Sequence, residues 1–277
     1  MNVDQAVSFV ESSGTAAQVA LAHSAVGRIG ADDAVEAVAA HQRADGSWAK
    51  IDPDMSGDLS SISQTWIGLQ WLIWLSPAGA DQLEHTIAFL RGAQRRQGFW
   101  DEPDEIAQFS PPQWMLPGQR DNQVWLTSAV CCKLKELDRS ADVSYEAALE
   151  FLRGAWSDEN RRFSDDPHPH WMALPLFHNS IDPRDALIEA GCRERLVEAI
   201  ENSRLDPSDY TAVAYAAMLG SDVELFRRCL DKIESYQQAD GGMTTRYGDQ
   251  HRPNATVETL FLFKCANLLP VASKTES

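Results

Sequence analysis

The sequence predicts an all-α fold in which six helical hairpins close into an (α/α)6 toroid. The hydrophobic periodicity is helical along the whole chain, with no convincing strand. A Gln-x-x-x-Gly-x-Trp pattern occurs at 42–48 and 94–100, and it returns at 237–243 with Met243 in place of Trp. The predicted helices alternate between amphipathic and nearly all-apolar. This alternation suits an outer ring with one wet face around a buried inner ring.

A second repeat supports the same architecture. The pentapeptide FLRGA at 89–93 reappears letter for letter at 151–155. After the second copy the motif is degenerate, with Trp156, Asn160 and Phe163 roughly where Gln, Gly and Trp stand elsewhere. A unit that recurs about every 50–60 residues indicates a repeat architecture, because each unit buries its apolar face only against its neighbours.

Twelve helices are predicted in chain order, forming six pairs. The longest connecting segments, 44–57 and 101–119, are rich in Asp or Pro and are expected to be loops. We expect one domain over residues 1–270, followed by a disordered polar tail over 271–277. The predicted pairs are 3–12 with 14–28, 32–42 with 58–76, 80–95 with 121–137, 143–155 with a short helix inside 164–179, 185–203 with 207–220, and 222–237 with 254–269.

Composition and charge exclude several classes of partner. The net charge of −17 argues against nucleic acid and anionic membranes, because phosphate binding depends on Lys and Arg. The most apolar run, 66–75, is too short to span a bilayer, so no integral membrane segment is expected. The first residues, MNVDQAV, include an acidic residue and no basic leader, so a signal peptide is not expected. The irregular spacing of the five cysteines predicts buried, reduced thiols in a cytoplasmic protein.

The repeat resembles that of the terpene cyclase and protein prenyltransferase superfamily. Gln42, Gly46 and Trp48, with their copy at 94–100, look like the Gln–Trp repeat of squalene–hopene and oxidosqualene cyclases. The last repeat, from Gly241 onward, is similar to the Gly-Gly-Phe segment of prenyltransferase β-subunits. The resemblance covers most of the chain. It implies an α/α toroid and, as activity, acid-initiated carbocationic cyclisation of an apolar isoprenoid-type substrate by an isomerase or lyase of secondary metabolism.

The resemblance also implies catalytic residues. Class II terpene cyclases protonate an alkene or epoxide with the middle Asp of Asp-x-Asp-Asp-Thr-Ala, and residues 205–217 here read LDPSDYTAVAYAA. Aligning the Thr-Ala pair makes Asp209 the implied proton donor. Pro207 and Tyr210 replace the flanking acids, and Asp206 lies one residue off the pattern. The implied catalytic residues are therefore Asp209, Tyr210 and Asp206, although Asp209 is also explained as a helix-start acid that favours the helix dipole.

No metal or other cofactor is expected. Protein prenyltransferases hold zinc with an Asp-x-Cys pair and a distant His, and no Asp-x-Cys occurs here. No Asp-Asp-x-x-Asp stands on a predicted inner helix, which disfavours ionisation of a diphosphate. His168 and His170 could bind a metal beside Asp165, but structural metal sites usually need four ligands, so a role without metal is favoured.

The inner helices of a toroid point their N-terminal ends at one mouth of a central cavity, so polar residues there are candidates for the site. Each is also explained as an N-cap or first-turn group. Aromatic residues of the inner helices are expected to line the cavity, and core packing is the alternative for each. The predicted substrate-binding residues are Trp66, Trp71, Trp125, Trp171, Asp121, His168, His170, Tyr215 and Phe261.

Two other functions remain open. A glycan hydrolase or lyase on the same toroid would use paired carboxylates, or a His with a Tyr, which the Asp121, Asp165, His168, His170 and Tyr210 side chains could supply. A non-catalytic ligand-binding or scaffold protein would explain the incomplete Asp-x-Asp-Asp motif. In the leading hypothesis the partner is an apolar small-molecule substrate.

Overall fold

The computed structural model describes residues 1–55 and 57–269, and these residues form an all-helical protein. They contain twelve α-helices and no β-strand. The predicted tail, 271–277, and the last residue of the predicted domain, 270, lie outside the described residues. In chain order the helices are α1 (Val3–Ser13), α2 (Ala16–Ala25), α3 (Ala31–Ala39), α4 (Ile62–Leu75), α5 (Ala80–Ala93), α6 (Arg120–Glu136), α7 (Tyr145–Ala155), α8 (His168–Phe177), α9 (Pro183–Glu201), α10 (Asp209–Leu219), α11 (Val223–Ile233) and α12 (Arg252–Cys265).

All twelve helices lie where the periodicity predicts, with ends shifted by a few residues. The start of α4, for example, moves from position 58 to Ile62 because Ser61 is its N-cap. The Ser61 side chain accepts a hydrogen bond from the backbone N–H of Gln64. Single-residue caps of this kind decide where a helix begins, and periodicity alone does not resolve them.

The segment 101–119 is a packed loop with two short 3-10 turns, Asp104–Phe109 and Gln113–Met115. Its Ile106 and Met115 are buried together with Met55 from the loop before α4, forming a small core of their own. The two longest loops of the chain therefore support each other.

The helices alternate in burial as predicted. Helix α11 buries only Leu225, Cys229 and Ile233, one stripe of an amphipathic helix. Helix α8 is instead buried at every residue from Pro169 to Phe177. Odd-numbered helices thus keep a wet face, while α4, α6, α8, α10 and α12 are enclosed on most sides. No helix of the described ranges is long and apolar enough to cross a membrane.

The even-numbered helices pack against one another in succession. Helix α4 packs on α6, α6 on α8, α8 on α10, α10 on α12, and α12 packs in turn on α2. Helix α3 packs on both α2 and α4 and so connects them. The larger apolar core lies among α4 to α12, and a second lies among the first four helices and α12.

The glutamines of two repeats link consecutive odd-numbered helices. After α5, Gln94 donates through Nε2 to the Ser144 carbonyl oxygen at 3.1 Å, and its Oε1 accepts from the Ser144 N–H at 2.8 Å. Ser144 is the N-cap of α7. Gln237, after α11, makes the same pair of bonds to Asn2 at 2.8 and 2.6 Å, and Asn2 is the N-cap of α1. The last repeat is therefore bonded to the first helix of the chain.

A threonine on the following even-numbered helix completes the motif. In each repeat the Trp or Met at the last motif position donates its backbone N–H to a threonine Oγ1, which satisfies a buried donor. The spacing to that threonine varies from 13 to 27 residues, so the sequence pattern does not reveal it. The bonds are Trp48 to Thr65 and Trp100 to Thr127, both 3.1 Å, and Met243 to Thr256, 2.9 Å.

The motif glycines bring two backbones into contact. Gly98 has φ +92°, and a Cβ there would lie 2.3 Å from the carbonyl oxygen of Ala147 in α7. Gly241 has φ +94°, and its Cβ would lie 2.1 Å from the carbonyl oxygen of Gln5 in α1. Only glycine combines this dihedral angle with so close an approach.

Cysteine chemistry follows the prediction with one exception. All five thiols are unpaired, and Cys131, Cys132, Cys192 and Cys229 are buried. Cys265 is exposed because it ends α12, so the prediction of a buried thiol is wrong at this position.

Gly98→Ala should lower the free energy of unfolding by about 3 kcal/mol, because it adds strain at positive φ and a clash with α7. Gly92→Ala is the matched control, since Gly92 lies in α5 with nothing within 4 Å of its Cβ position. That variant should gain about 0.5–1 kcal/mol from helix propensity. Urea unfolding measures both, and two similar values would contradict the proposed contact between repeats.

Candidate functional site

Two cavities lie along the even-numbered helices. The inner one, about 60 Å³, lies between α4, α6, α8, α10 and α12. The outer one, about 290 Å³, is bordered by the segments before α4 and α12 and by the starts of α6 and α8. Among the polar residues predicted near helix starts, only those of α6 and α8 line this cavity. The outer cavity is lined by Asp52, Asp54, Trp114, Asp121, Asn122, Trp125, Asp166, His168, Pro169, Tyr247 and His251.

Asp209, the first residue of α10, lies behind the wall of the outer cavity and is 7% exposed. The Tyr247 hydroxyl lies 3.1 and 3.2 Å from its two carboxylate oxygens, and the Asp206 backbone N–H donates to Oδ2 at 3.0 Å. His168 Nε2 lies 3.9 Å from Oδ1. Burial raises the pKa of Asp209 to about 6, although His168 and the hydrogen bonds favour the charged form.

His168 and Tyr247 connect Asp209 to the cavity. The Tyr247 hydroxyl lies 3.1 Å from His168 Nε2, and His168 Nδ1 is hydrogen-bonded to Asp166. Burial disfavours a charged His168, but Asp166 and Asp209 outweigh burial and raise the pKa of His168. Burial raises the pKa of Tyr247, so its hydroxyl keeps its proton at neutral pH. The four groups form a continuous chain from the cavity wall to the buried carboxyl group.

Asp206 orients this chain. Its Oδ1 accepts from the backbone N–H and hydroxyl of Ser208 at 2.9 and 2.6 Å. Its Oδ2 accepts from the Arg246 backbone N–H at 2.6 Å. Because Arg246 precedes Tyr247, the Asp206 carboxylate ties the tyrosine segment to the start of α10. Asp206 does not line the outer cavity, and its predicted catalytic role stays a prediction.

The inner cavity combines aromatic rings with ionisable groups. Glu258 is partly exposed to this cavity but surrounded by protein, and burial, followed by the charge of Asp209, raises the pKa of Glu258 to about 7. Lys133 is 2% exposed, lies 3.0 Å from Glu136, and stands 4.5 Å above the Tyr215 ring. Tyr215 donates its hydroxyl to Glu136. The cavity thus holds a carboxyl group that changes charge near neutral pH.

Five of the predicted substrate-binding residues border the cavities. Trp125, Asp121 and His168 border the outer cavity, and Trp66 and Tyr215 border the inner one. The Trp125 ring packs edge-on against Trp66 with centroids 5.6 Å apart. The two cavities therefore share an aromatic wall.

Three other predicted aromatic residues border neither cavity. Trp71 is 3% exposed in the core. Trp171 packs against the His168 ring at 4.4 Å, and Phe261 stacks on Trp74 at 4.6 Å. All three rings pack against other side chains in the core, so the expectation that they line the cavity is corrected.

His170 holds backbone rather than a ligand. Its Nδ1 lies 2.9 Å from the Asp166 carbonyl oxygen, and its Nε2 accepts from the Phe163 N–H at 3.2 Å. Burial lowers the pKa of His170 to about 4, so the ring is neutral. Both ring nitrogens are engaged, which removes His170 from substrate binding and from the metal site considered with Asp165. Asp165 instead pairs with Arg162 at 2.8 Å.

Tyr210 faces away from the carboxyl group that it was predicted to assist. Its ring packs against Tyr236 with centroids 5.6 Å apart, and burial raises the pKa of Tyr210 to about 12. The phenol that contacts Asp209 belongs to Tyr247. The catalytic role implied for Tyr210 by the motif alignment thus finds no support in its contacts, and the phenol beside Asp209 comes from the last repeat.

Sequence reasoning missed several lining residues, which lie on loops before helices rather than on helix starts. Asp52 and Asp54 belong to an Asp-Pro-Asp run ten residues before α4, and Tyr247 and His251 to the YGDQH segment before α12. The signal available was the density of polar and aromatic residues in the loops that lead into even-numbered helices.

No protein-family model matches the sequence, and no curated protein matches it either. The resemblance to terpene cyclases and prenyltransferases thus rests on the repeat motif, and membership of that superfamily stays a prediction.

Asp209→Asn should stabilise the folded chain at neutral pH. The pKa of Asp209 is about 6 in the fold against an ordinary 3.8, so the folded chain binds this proton more tightly. The stability that protonation supplies is fully present below pH ~4 and is lost as pH rises through ~6. We expect the variant to exceed wild type by roughly 2 kcal/mol at pH 8 and the difference to shrink toward pH 4, measured by urea unfolding.

Asp249→Asn serves as the control, because Asp249 is exposed and lies in the turn before α12. This variant should match wild type at each pH. A stability difference for Asp209→Asn that is independent of pH would show that Asp209 is ionised throughout.

Proposed function

We propose that the chain closes as an (α/α)6 toroid and is a class II-like terpene cyclase or isomerase. It would protonate an apolar isoprenoid-type substrate and so start a carbocationic cyclisation. The observation that carries this proposal is the buried Asp209 carboxyl group, whose pKa is raised to about 6 and which is hydrogen-bonded to a tyrosine of the cavity wall.

Closure of the ring is supported by contacts between the two ends of the chain. The even-numbered helices follow one another from α4 to α12, and α12 packs on α2. Gln237 bonds the N-cap Asn2 of α1 in the way that Gln94 bonds the N-cap of α7. An open array of hairpins would give the last glutamine no such partner, so the repeated bond favours a closed ring.

The state of Asp209 suits a general acid. A useful acid holds its proton near the working pH, and burial achieves this for Asp209. The cyclase motif places acids beside its proton donor, and Pro207 and Tyr210 stand there instead. His168 and Tyr247 are the groups that contact Asp209 in space, and they would tune its acidity in place of the missing acids.

Asp209 would deliver its proton through Tyr247, because Tyr247 borders the outer cavity and Asp209 is not among its lining residues. The tyrosine O–H bond breaks as the substrate double bond or epoxide oxygen takes that proton. The phenolic oxygen takes the proton of Asp209 at the same time, leaving Asp209 as a carboxylate and Tyr247 neutral. The positive charge created on the substrate would face the Trp125 and Trp66 rings, whose π faces attract cations.

Glu258 could end the reaction. Its pKa of about 7 leaves a fraction ionised at neutral pH, and it borders the inner cavity beside Trp66. The carboxylate would accept a proton from the carbocation, which forms the product double bond.

Turnover of a panel of linear isoprenoids, with and without a terminal epoxide, tests the proposal with gas chromatography and mass spectrometry of the products. Asp209→Asn and Tyr247→Phe should each lower kcat by about 10²-fold or more, since both interrupt proton delivery. Wild-type kcat should fall as pH rises above ~6, where Asp209 loses its proton. Asp249→Asn should retain wild-type turnover, whereas retained activity in Asp209→Asn would refute the acid.

A neutral-glycan hydrolase is the second candidate. The outer cavity holds four aspartates with Trp114 and Trp125, and such rings stack on sugars while paired carboxylates hydrolyse glycosidic bonds. No Lys or Arg lies among the described residues that line it, which disfavours anionic glycans. The test is the release of reducing sugar from neutral oligosaccharides. Release by wild type that is lost in Trp114→Ala, with no product from the isoprenoid panel, would favour the glycan hydrolase over the cyclase.

A scaffold without ligand has less support. That alternative predicts a cavity filled by side chains, and the outer cavity of about 290 Å³ is close to the lower end of ligand pockets, roughly 300–1,000 Å³.

A further inference from the structure

Three metal-ligating side chains meet at the outer cavity. Asp52 and Asp54 come from the loop before α4, and His251 from the turn before α12. One ligand atom of each lies within 4.8 Å of the others, and all three residues line the cavity. Segments almost 200 residues apart in sequence thus converge on one point.

The coordination of these side chains is incomplete. Nε2 of His251 is buried and has no hydrogen-bond partner. It lies 3.1 Å from Asp54 Oδ2, close enough for an ion pair but outside hydrogen-bond geometry. Asp52 is 8% exposed, its Oδ1 accepts from the Asp54 N–H at 2.8 Å, and no described residue donates to its Oδ2. Buried polar atoms usually have partners, so the unpartnered Nε2 of His251 calls for a ligand.

The charge of the cavity points to a cation. Asp52, Asp54, Asp121 and Asp166 all line it, and no Lys or Arg does so among the described residues. A cation between Asp52 and Asp54 would be attracted by this concentration of carboxylates, with no positive side chain of the lining to compete for them.

We propose that Asp52, Asp54 and His251 bind one divalent cation of the first transition series, such as Mn²⁺ or Zn²⁺. An imidazole nitrogen with two carboxylate oxygens suits these ions, whereas Mg²⁺ and Ca²⁺ prefer oxygen ligands alone. Three protein ligands leave coordination positions open toward the cavity, as in catalytic metal sites. Gln250, whose Nε2 lies 3.4 Å from Asp54 Oδ1, would orient that carboxylate.

The cation would also hold Tyr247 in place. The Tyr247 ring packs edge-on against His251 with centroids 6.1 Å apart, and its hydroxyl reaches Asp209. A metal bond to His251 would fix this ring and join the loop before α4 to the turn before α12. Binding of the cation does not depend on the proposed reaction, so it is tested without any substrate.

Equilibrium dialysis of EDTA-treated full-length protein against Mn²⁺, with the electron paramagnetic resonance signal of free Mn²⁺ as readout, tests the site. Wild type should bind one Mn²⁺ per chain, and Zn²⁺ should displace it. Asp52→Asn, Asp54→Asn and His251→Gln should each weaken binding by 10-fold or more, because each removes one ligand. Asp249→Asn, an exposed acid two residues from His251, should bind like wild type.

Thermal unfolding in EDTA and in Mn²⁺ checks folding in the same samples. Wild type and Asp249→Asn should show a higher Tm with Mn²⁺, and the three ligand variants should not, while remaining folded in EDTA. Asp54 is the most exposed of the three, so Asp54→Asn keeps the test decisive if Asp52→Asn fails to fold. The metal site would be overturned if wild type did not bind one Mn²⁺ per chain, or if Asp249→Asn weakened Mn²⁺ binding as much as the ligand variants do. His251 would then merely pair with the two carboxylates.

Discussion

The fold depends on the clamp that joins the end of one odd-numbered helix to the start of the next. Gln94 exchanges two hydrogen bonds with Ser144, the N-cap of α7, and the backbone of Gly98 contacts the backbone of Ala147 in α7. Each hydrogen bond contributes about 1 kcal/mol, but the backbone contact sets the distance between repeats. The segments that lead into α4, α6, α8 and α12 all contribute residues to the outer cavity.

Two repeats that lack the motif are linked by ion pairs instead. Arg153 in α7 donates to both oxygens of Asp185 at 2.7 and 2.8 Å, and Asp185 lies in the first turn of α9. Arg193 in α9 pairs with Asp222, the N-cap of α11. A guanidinium bound through two nitrogens gives both strength and direction, so it replaces the glutamine without loss of the link. Ion pairs thus link consecutive odd-numbered helices where the glutamine motif is degenerate or missing.

Carboxyl groups at and behind the outer cavity are destabilised in their charged forms. Burial raises the pKa of Asp52 and Asp209, which means that their charged forms are destabilised by the surroundings. Packing in the two apolar cores offsets this cost elsewhere in the chain. Buried carboxyl groups with raised pKa values beside a cavity are a pattern expected of a functional site.

The same cavity couples its groups through short contacts. Asp209 meets Tyr247, and Tyr247 meets both His168 and His251. A change of charge at any of them alters the field at the others, because the interior screens charge weakly. Residues from three repeats thus share one electrostatic environment, although their chemistry is spread over more than eighty positions of the sequence.

The sequence by itself determined the twelve helices, their alternating burial, and the glutamines and glycines of the repeated motif. These follow from local periodicity and from a motif whose residues stand close together in the chain. Only the tertiary structure decided that Tyr247 rather than Tyr210 contacts Asp209, and that Trp66 and Trp125 border cavities while Phe261 fills the core. Periodicity tells which face of a helix is buried. An aromatic side chain that packs against a neighbouring helix and one that borders a cavity produce the same sequence pattern. Which of the two a ring meets depends on contacts between residues far apart in the sequence.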